Sequence, residues 1–267
     1  MHPLRSLLFV IGLSAFPALA HEFWLEPLTF QIEPDDPLKA HIKIGQYFKG
    51  NTYAYIPGRF ERFELTLDGQ TEPVDARLGT IPAVGQTAEH PGLALLTYES
   101  TYEYLTYDDP ETFRNFLKLD GLAWVAQRHR ERDLPASGFT EAYRRFAKAY
   151  IGVGNAEGED KAVGFPFEWV LQHNPYALDA GQPLTARLLW QGQPFADSLV
   201  RVFVRQNGEV EEWRLETSAS GQVSIPYRPN ADYLVSSVHM IEATDATDPE
   251  QGAVWESLWA SAVFHRP

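Results

Sequence analysis

The tripeptide Ala18-Leu19-Ala20 is followed directly by His21-Glu22-Phe23-Trp24. The small residues at 18 and 20 come after an apolar run from Leu7 to Phe16 and a basic start at His2 and Arg5, which together form the pattern of a secretory leader cleaved after Ala20. Cleavage there makes His21 the first residue of the mature chain. A terminal histidine carries two nitrogen donors, its α-amine and its imidazole, close enough to chelate one metal ion. In model peptides these groups lose their protons near about 7.7–8.0 and about 6.5. Both must be deprotonated to bind, so such a chelate tightens as pH rises. In the uncleaved chain the same nitrogen is a peptide amide and the chelate cannot form.

The chain has no cysteine, which removes disulfides, thiolate metal sites and cysteine nucleophiles. Metal ligands must then be imidazole, amine, carboxylate, amide or water, and imidazole suits nickel, copper, zinc and cobalt alike. His239 is the second candidate. Alternation places Tyr233, Val235, Ser237 and His239 on one face of a strand, where the histidine either projects into a crevice between domains or rests in a core. His41 shares a face with Lys43, and His90, His129, His173 and His265 read as surface residues. The sequence has no phosphate-binding loop, no Gly-x-Ser-x-Gly, no His-Glu-x-x-His and no dinucleotide fingerprint. The reading is therefore of a binding protein and not of an enzyme. Trp169, Trp190, Trp213, Trp255 and Trp259 suit either strand packing or, in a metal-free adhesion or carbohydrate-binding module, a sugar platform.

The elements that must position these residues read as mainly β. Lys39–Phe48 and Phe60–Leu67 alternate, Leu93–Glu99 reads as a buried strand, and Asp68-Gly69 marks a turn. At Asp109-Pro110-Glu111 an N-cap, a first-turn proline and an acid predict a helix. Phe139, Tyr143, Phe146 and Tyr150 recur at helical spacing and predict a second one, with Glu141 and Arg145 one turn apart. The expected architecture is an N-terminal β-rich domain over residues 21–160 with an inserted or appended helical hairpin at about 109–152, then an immunoglobulin-like or transthyretin-like β-sandwich over 161–267. Seven short strands punctuated by turns carry that second prediction.

Acidic residues number 36 against 22 Lys and Arg, a formal charge of -14 that loss of Arg5 makes one unit more negative. That balance disfavours nucleic acid and anionic membranes as partners. The leader's apolar run is shorter than the about 20 residues a spanning helix needs. No later segment is longer, so no direct membrane insertion is expected after cleavage. The expected location is the periplasm.

The chain also resembles a bacterial family of domains of unknown function described as the periplasmic component of ABC- or ECF-type cobalt/nickel transport systems. The residues that carry the resemblance include His21-Glu22-Phe23-Trp24-Leu25-Glu26-Pro27, Ile44-Gly45-Gln46-Tyr47-Phe48-Lys49-Gly50, Asn174-Pro175-Tyr176, Val238-His239-Met240 and Trp255-Glu256-Ser257-Leu258-Trp259. What the resemblance implies is a protein that binds a divalent transition metal, nickel or cobalt, and presents it to membrane metal importer subunits. It carries the terminal-histidine role onto His21 and a second ligand onto His239. Near the Gly-x-x-Phe motif, where the family often has histidine or an acid, this chain has Gln46, a weaker ligand that with water can fill remaining positions. Copper or zinc handling on the same architecture is the alternative, because copper outranks nickel and cobalt at most nitrogen sites.

Overall fold

In a computed structural model the chain is described over residues 21–244, 247 and 252–267. The leader expected over residues 1–20 lies outside the described residues. The protein is mainly β, with 52% strand against 9% helix. Two helices are seen among the described residues, α1 (Pro110–Leu119) and α2 (Ala123–Glu131). Neither is long and apolar enough to cross a membrane. The Asp109 carboxylate caps α1 by accepting from the Glu111 backbone N–H at 2.9 Å. Helix is therefore confined to the first arm of the expected hairpin, where it breaks after Leu119 and ends at Glu131.

The segment predicted as its second helix is a strand, and the longest one. A large sheet of ten strands runs in the order β15 (Glu209–Glu216), β14 (Leu199–Gln206), β17 (Ala231–Glu242), β18 (Trp255–Arg266), β10 (Phe139–Val153), β8 (Gly92–Ser100), β5 (Phe60–Leu67), β6 (Gln70–Pro73). Two further strands, β2 (Gln31–Ile32) and β9 (Glu103–Tyr107), also pair with β10. The helical reading of 139–150 failed because β10 is covered on both faces. Ala147, Ala149 and Ile151 enter one core while Phe146 and Tyr150 enter another. A strand buried on both sides loses simple alternation, and its large residues then fell at helical spacing by coincidence.

β18 pairs in parallel with β10 and antiparallel with β17. Strands from either side of the expected boundary at 160–161 thus belong to one sheet. A four-stranded sheet, β1 (Glu22–Pro27), β3 (Pro37–Gln46), β4 (Lys49–Tyr53) and β7 (Val84–Thr87), lies on one face of it, with α1 and α2 beside it on that face. Another four-stranded sheet, β11 (Phe167–Leu171), β12 (Leu184–Trp190), β13 (Gln193–Pro194) and β16 (Gln222–Ile225), covers the other face.

The hairpin between β3 and β4 holds the first layer in place. Tyr47 and Phe48 form its two-residue turn, both at positive φ (53° and 55°). Such a turn ordinarily takes Asn-Gly. Here tertiary contacts hold it. Phe48 is buried edge-on against Trp24 at 6.0 Å, with Arg205 stacked over its ring at 4.3 Å. Tyr47 meets Phe203 at 5.2 Å and donates its hydroxyl hydrogen to Glu212 at 2.7 Å. Behind the turn Gly45 and Gly50 face each other across the strands, and a Cβ on Gly45 would overlap the Lys49 carbonyl. Gly45→Ala is expected to cost about 1–3 kcal/mol of stability by overpacking. Gly85→Ala, where a Cβ meets open space, should change it by less than about 1 kcal/mol. Thermal unfolding compares the two, and equal melting temperatures would remove the close-approach account.

Candidate functional site

His21 stands at the edge of β1, and the residues after it fix its place. Glu22, Phe23, Trp24 and Leu25 are all buried. Beneath them Arg201 gathers three carboxylates. It pairs with Glu22, with Asp120 at 3.4 Å and with Glu212 at 2.9 Å. Burial pushes the Glu22 carboxyl up to about 7 and that of Asp120 to about 6, against the pull of Arg201. At half-buried Glu212 desolvation also acts upward, but hydrogen bonds from Arg201 and Tyr47 outweigh it and hold that carboxyl below its ordinary value. The amino-terminal segment is therefore locked to the sheet by packing and by charge.

His21 lines a cleft of about 570 Å3 between the first layer and the large sheet. Three alternate residues of β10, Glu141, Tyr143 and Arg145, form its floor, with Trp259 from β18 and Glu103 and Tyr107 from β9. Arg145 donates to the Glu103 carboxylate at 2.5 Å, and its guanidinium lies over the Tyr143 ring at 4.6 Å. Arg59 reaches the other Glu103 oxygen at 3.5 Å. Glu141 is enclosed. Tyr107 donates to it at 2.7 Å, the Ser257 hydroxyl donates to its other oxygen, and the Trp259 indole N–H donates to Ser257 at 2.9 Å. Burial raises the Glu141 carboxyl to about 7 in spite of these hydrogen bonds.

Of the residues chosen from sequence, His21 lines the cleft, while Gln46 lies at the end of β3, the strand paired with β1, and is not among the residues that line it. Glu22 pairs with Gly45, the residue before Gln46. His239 is a correction. On β17 its neighbours Val238 and Met240 join Trp255 and Trp259 in the core below α1 and α2, on the cleft's side of the sheet. His239 points the other way, among Phe195 (4.4 Å), Trp190 (4.7 Å) and Phe167 (5.8 Å). Burial lowers its imidazole to about 4, so it is neutral in an aromatic cage. The large sheet separates it from His21, and one ion cannot bind both.

His129, read as surface, is buried too. It accepts from the Trp255 indole at 2.9 Å and its other ring nitrogen donates to the Pro135 carbonyl at 2.8 Å. Of the tryptophans considered for a sugar platform, Trp169, Trp255 and Trp259 are buried.

Glu103, Glu141 and Arg145 were missed as cleft residues. Their signal was present in Glu141, Tyr143 and Arg145, polar-tipped groups at period two within an apolar run, but it was taken as a helical ion pair. Among the described residues no group of three His, Asp or Glu side chains is gathered as a metal cage. Residues 18–241 match the family described as a domain of unknown function, DUF4198, and the chain belongs to that family. No curated protein matches it.

A carboxyl whose folded pKa is raised stabilises the fold fully below its unfolded value, and that contribution is lost as pH climbs through the folded one. For Glu141 this window runs from an ordinary 4.5 to about 7. Glu141→Gln should therefore gain melting temperature relative to the parent steadily across that window. A difference that does not vary with pH would show the carboxyl to be unperturbed.

Proposed function

We propose that the mature protein is a periplasmic transition-metal-binding accessory for uptake, with His21 as its chelating residue. The observation that carries this reading is the burial of Glu22–Leu25, which fixes the histidine at the rim of the cleft of about 570 Å3. A freed α-amine and the imidazole would give two nitrogens, and Gln46, next to the Gly45 that pairs with Glu22, would be the candidate third donor. Glu103 is held by two arginines and Glu141 by two hydroxyls, so neither is offered as a ligand. The donor set fits a partial coordination sphere whose other positions are taken by water or by ligands the metal brings. Nickel or cobalt is favoured by the resemblance, and membrane importer subunits are the expected partners. The pairing of β11, β12, β13 and β16 against the large sheet supports reading the second half as an immunoglobulin-like or transthyretin-like sandwich.

Calorimetric titration of protein beginning at His21 with nickel, cobalt, copper and zinc tests this. One-to-one binding that tightens between pH 6 and 8 is expected. One added residue before His21 should weaken it at least about 100-fold, because the amine becomes an amide. His239→Phe should leave it unchanged. Unaltered affinity in the extended protein would overturn the His21 chelate, and copper or zinc far ahead of nickel beyond the usual nitrogen-site order would redirect the cargo.

A further inference from the structure

The cleft beside His21 is far larger than an ion requires. It encloses about 570 Å3. A liquid water takes up about 30 Å3, and clefts of about 300–1,000 Å3 are the size that holds organic ligands. Its walls are aromatic as well as polar, with Tyr53, Tyr104, Tyr143 and Trp259 facing the space. Its charge also runs against that of the whole chain. In a protein of formal charge -14, two guanidiniums, Arg59 and Arg145, share one carboxyl partner, Glu103. The Arg59 side chain is 58% exposed and touches Glu103 only at 3.5 Å, so it is able to turn toward a ligand. Burial favours the neutral form of Glu141, the other acid in the cleft. Guanidiniums repel a bare dication but hold carboxylates through paired N–H donors. The donor set at His21 is also incomplete, so a metal seated there has positions open to ligands that it brings.

We propose that this cleft takes the metal already complexed by a small organic polycarboxylate. Arg59 and Arg145 hold its free carboxylate oxygens, the tyrosines and Trp259 cover its carbon skeleton, and His21 completes the coordination of the ion. This rests on the His21 chelate and adds to it the chemical class of the cargo.

The test is calorimetry on protein beginning at His21, with three probes: nickel chloride in a non-coordinating buffer, citrate alone, and preformed nickel–citrate. Nickel–citrate is expected to bind at least ten-fold tighter than nickel alone, and citrate without metal at least ten-fold weaker than its complex. Arg59→Gln, checked for folding by circular dichroism, should shrink the preference for the complex at least five-fold. If citrate only competes, weakening apparent nickel binding in proportion to the metal it sequesters, the proposal falls and the His21 chelate stands. Citrate binding as tightly as its nickel complex overturns it in favour of an organic-acid site. An undiminished preference in Arg59→Gln removes the arginine from the account and overturns the proposal as well. If nickel binds in neither form, the chelate and the proposal fall together.

Discussion

Arg201 is the point on which the arrangement depends. Its guanidinium, almost entirely removed from water, joins the first strand through Glu22, the end of α1 through Asp120, and the sheet edge through Glu212. Glu212 in turn accepts from Tyr47 at the tip of the β3–β4 turn. Four distant parts of the chain meet at one cation. Two buried carboxylates and a half-buried one around one arginine are costly to desolvate, and removing the arginine would leave them uncompensated, typically about 3–5 kcal/mol for a broken buried pair. The cluster acts less as a source of net stability than as a register pin. It fixes which residue of the amino-terminal segment lies at the cleft, and only with that register does His21 face the open space.

Much of the secondary structure was legible because most elements present one face to a core and one to water. Phe60–Leu67 has the bounds its alternation predicts, and the capped start of α1 is where Asp109-Pro110 sets it. β10 was not legible. A strand in the middle of three layers has no solvent face to mark its period, so Phe139, Tyr143, Phe146 and Tyr150 mimicked a helix. Nor does any local pattern say that Trp255–Arg266 lies between β17 and β10, because strand neighbours from distant sequence are chosen by tertiary packing.

The site divides in the same way. The apolar anchor after His21 was legible, because Phe23, Trp24 and Leu25 are residue types that bury, and they do. Gln46 was reached through its motif, and that motif proves to be a strained turn held by aromatic packing, so its glycines and aromatics answer to backbone geometry before any ligand. His239 was misplaced for a reason that alternation contains. Val238 and Met240 face the helices, so the residue between them must face the opposite sheet. Knowing which of those faces borders His21 required the layers themselves. Glu103, Glu141 and Arg145 converge from strands whose pairing the sequence does not reveal.

The position of β18 governs the order in which the protein can be assembled. Residues 199–242 supply one part of the large sheet and residues 60–153 the other, and Trp255–Arg266 is the strand through which they join. A chain that emerges amino end first therefore presents two open sheet edges until residue 255 and those beyond it arrive, and contacts so distant in sequence form slowly. His21 is made early, but its seat is complete only when Arg201 and Trp259 have followed.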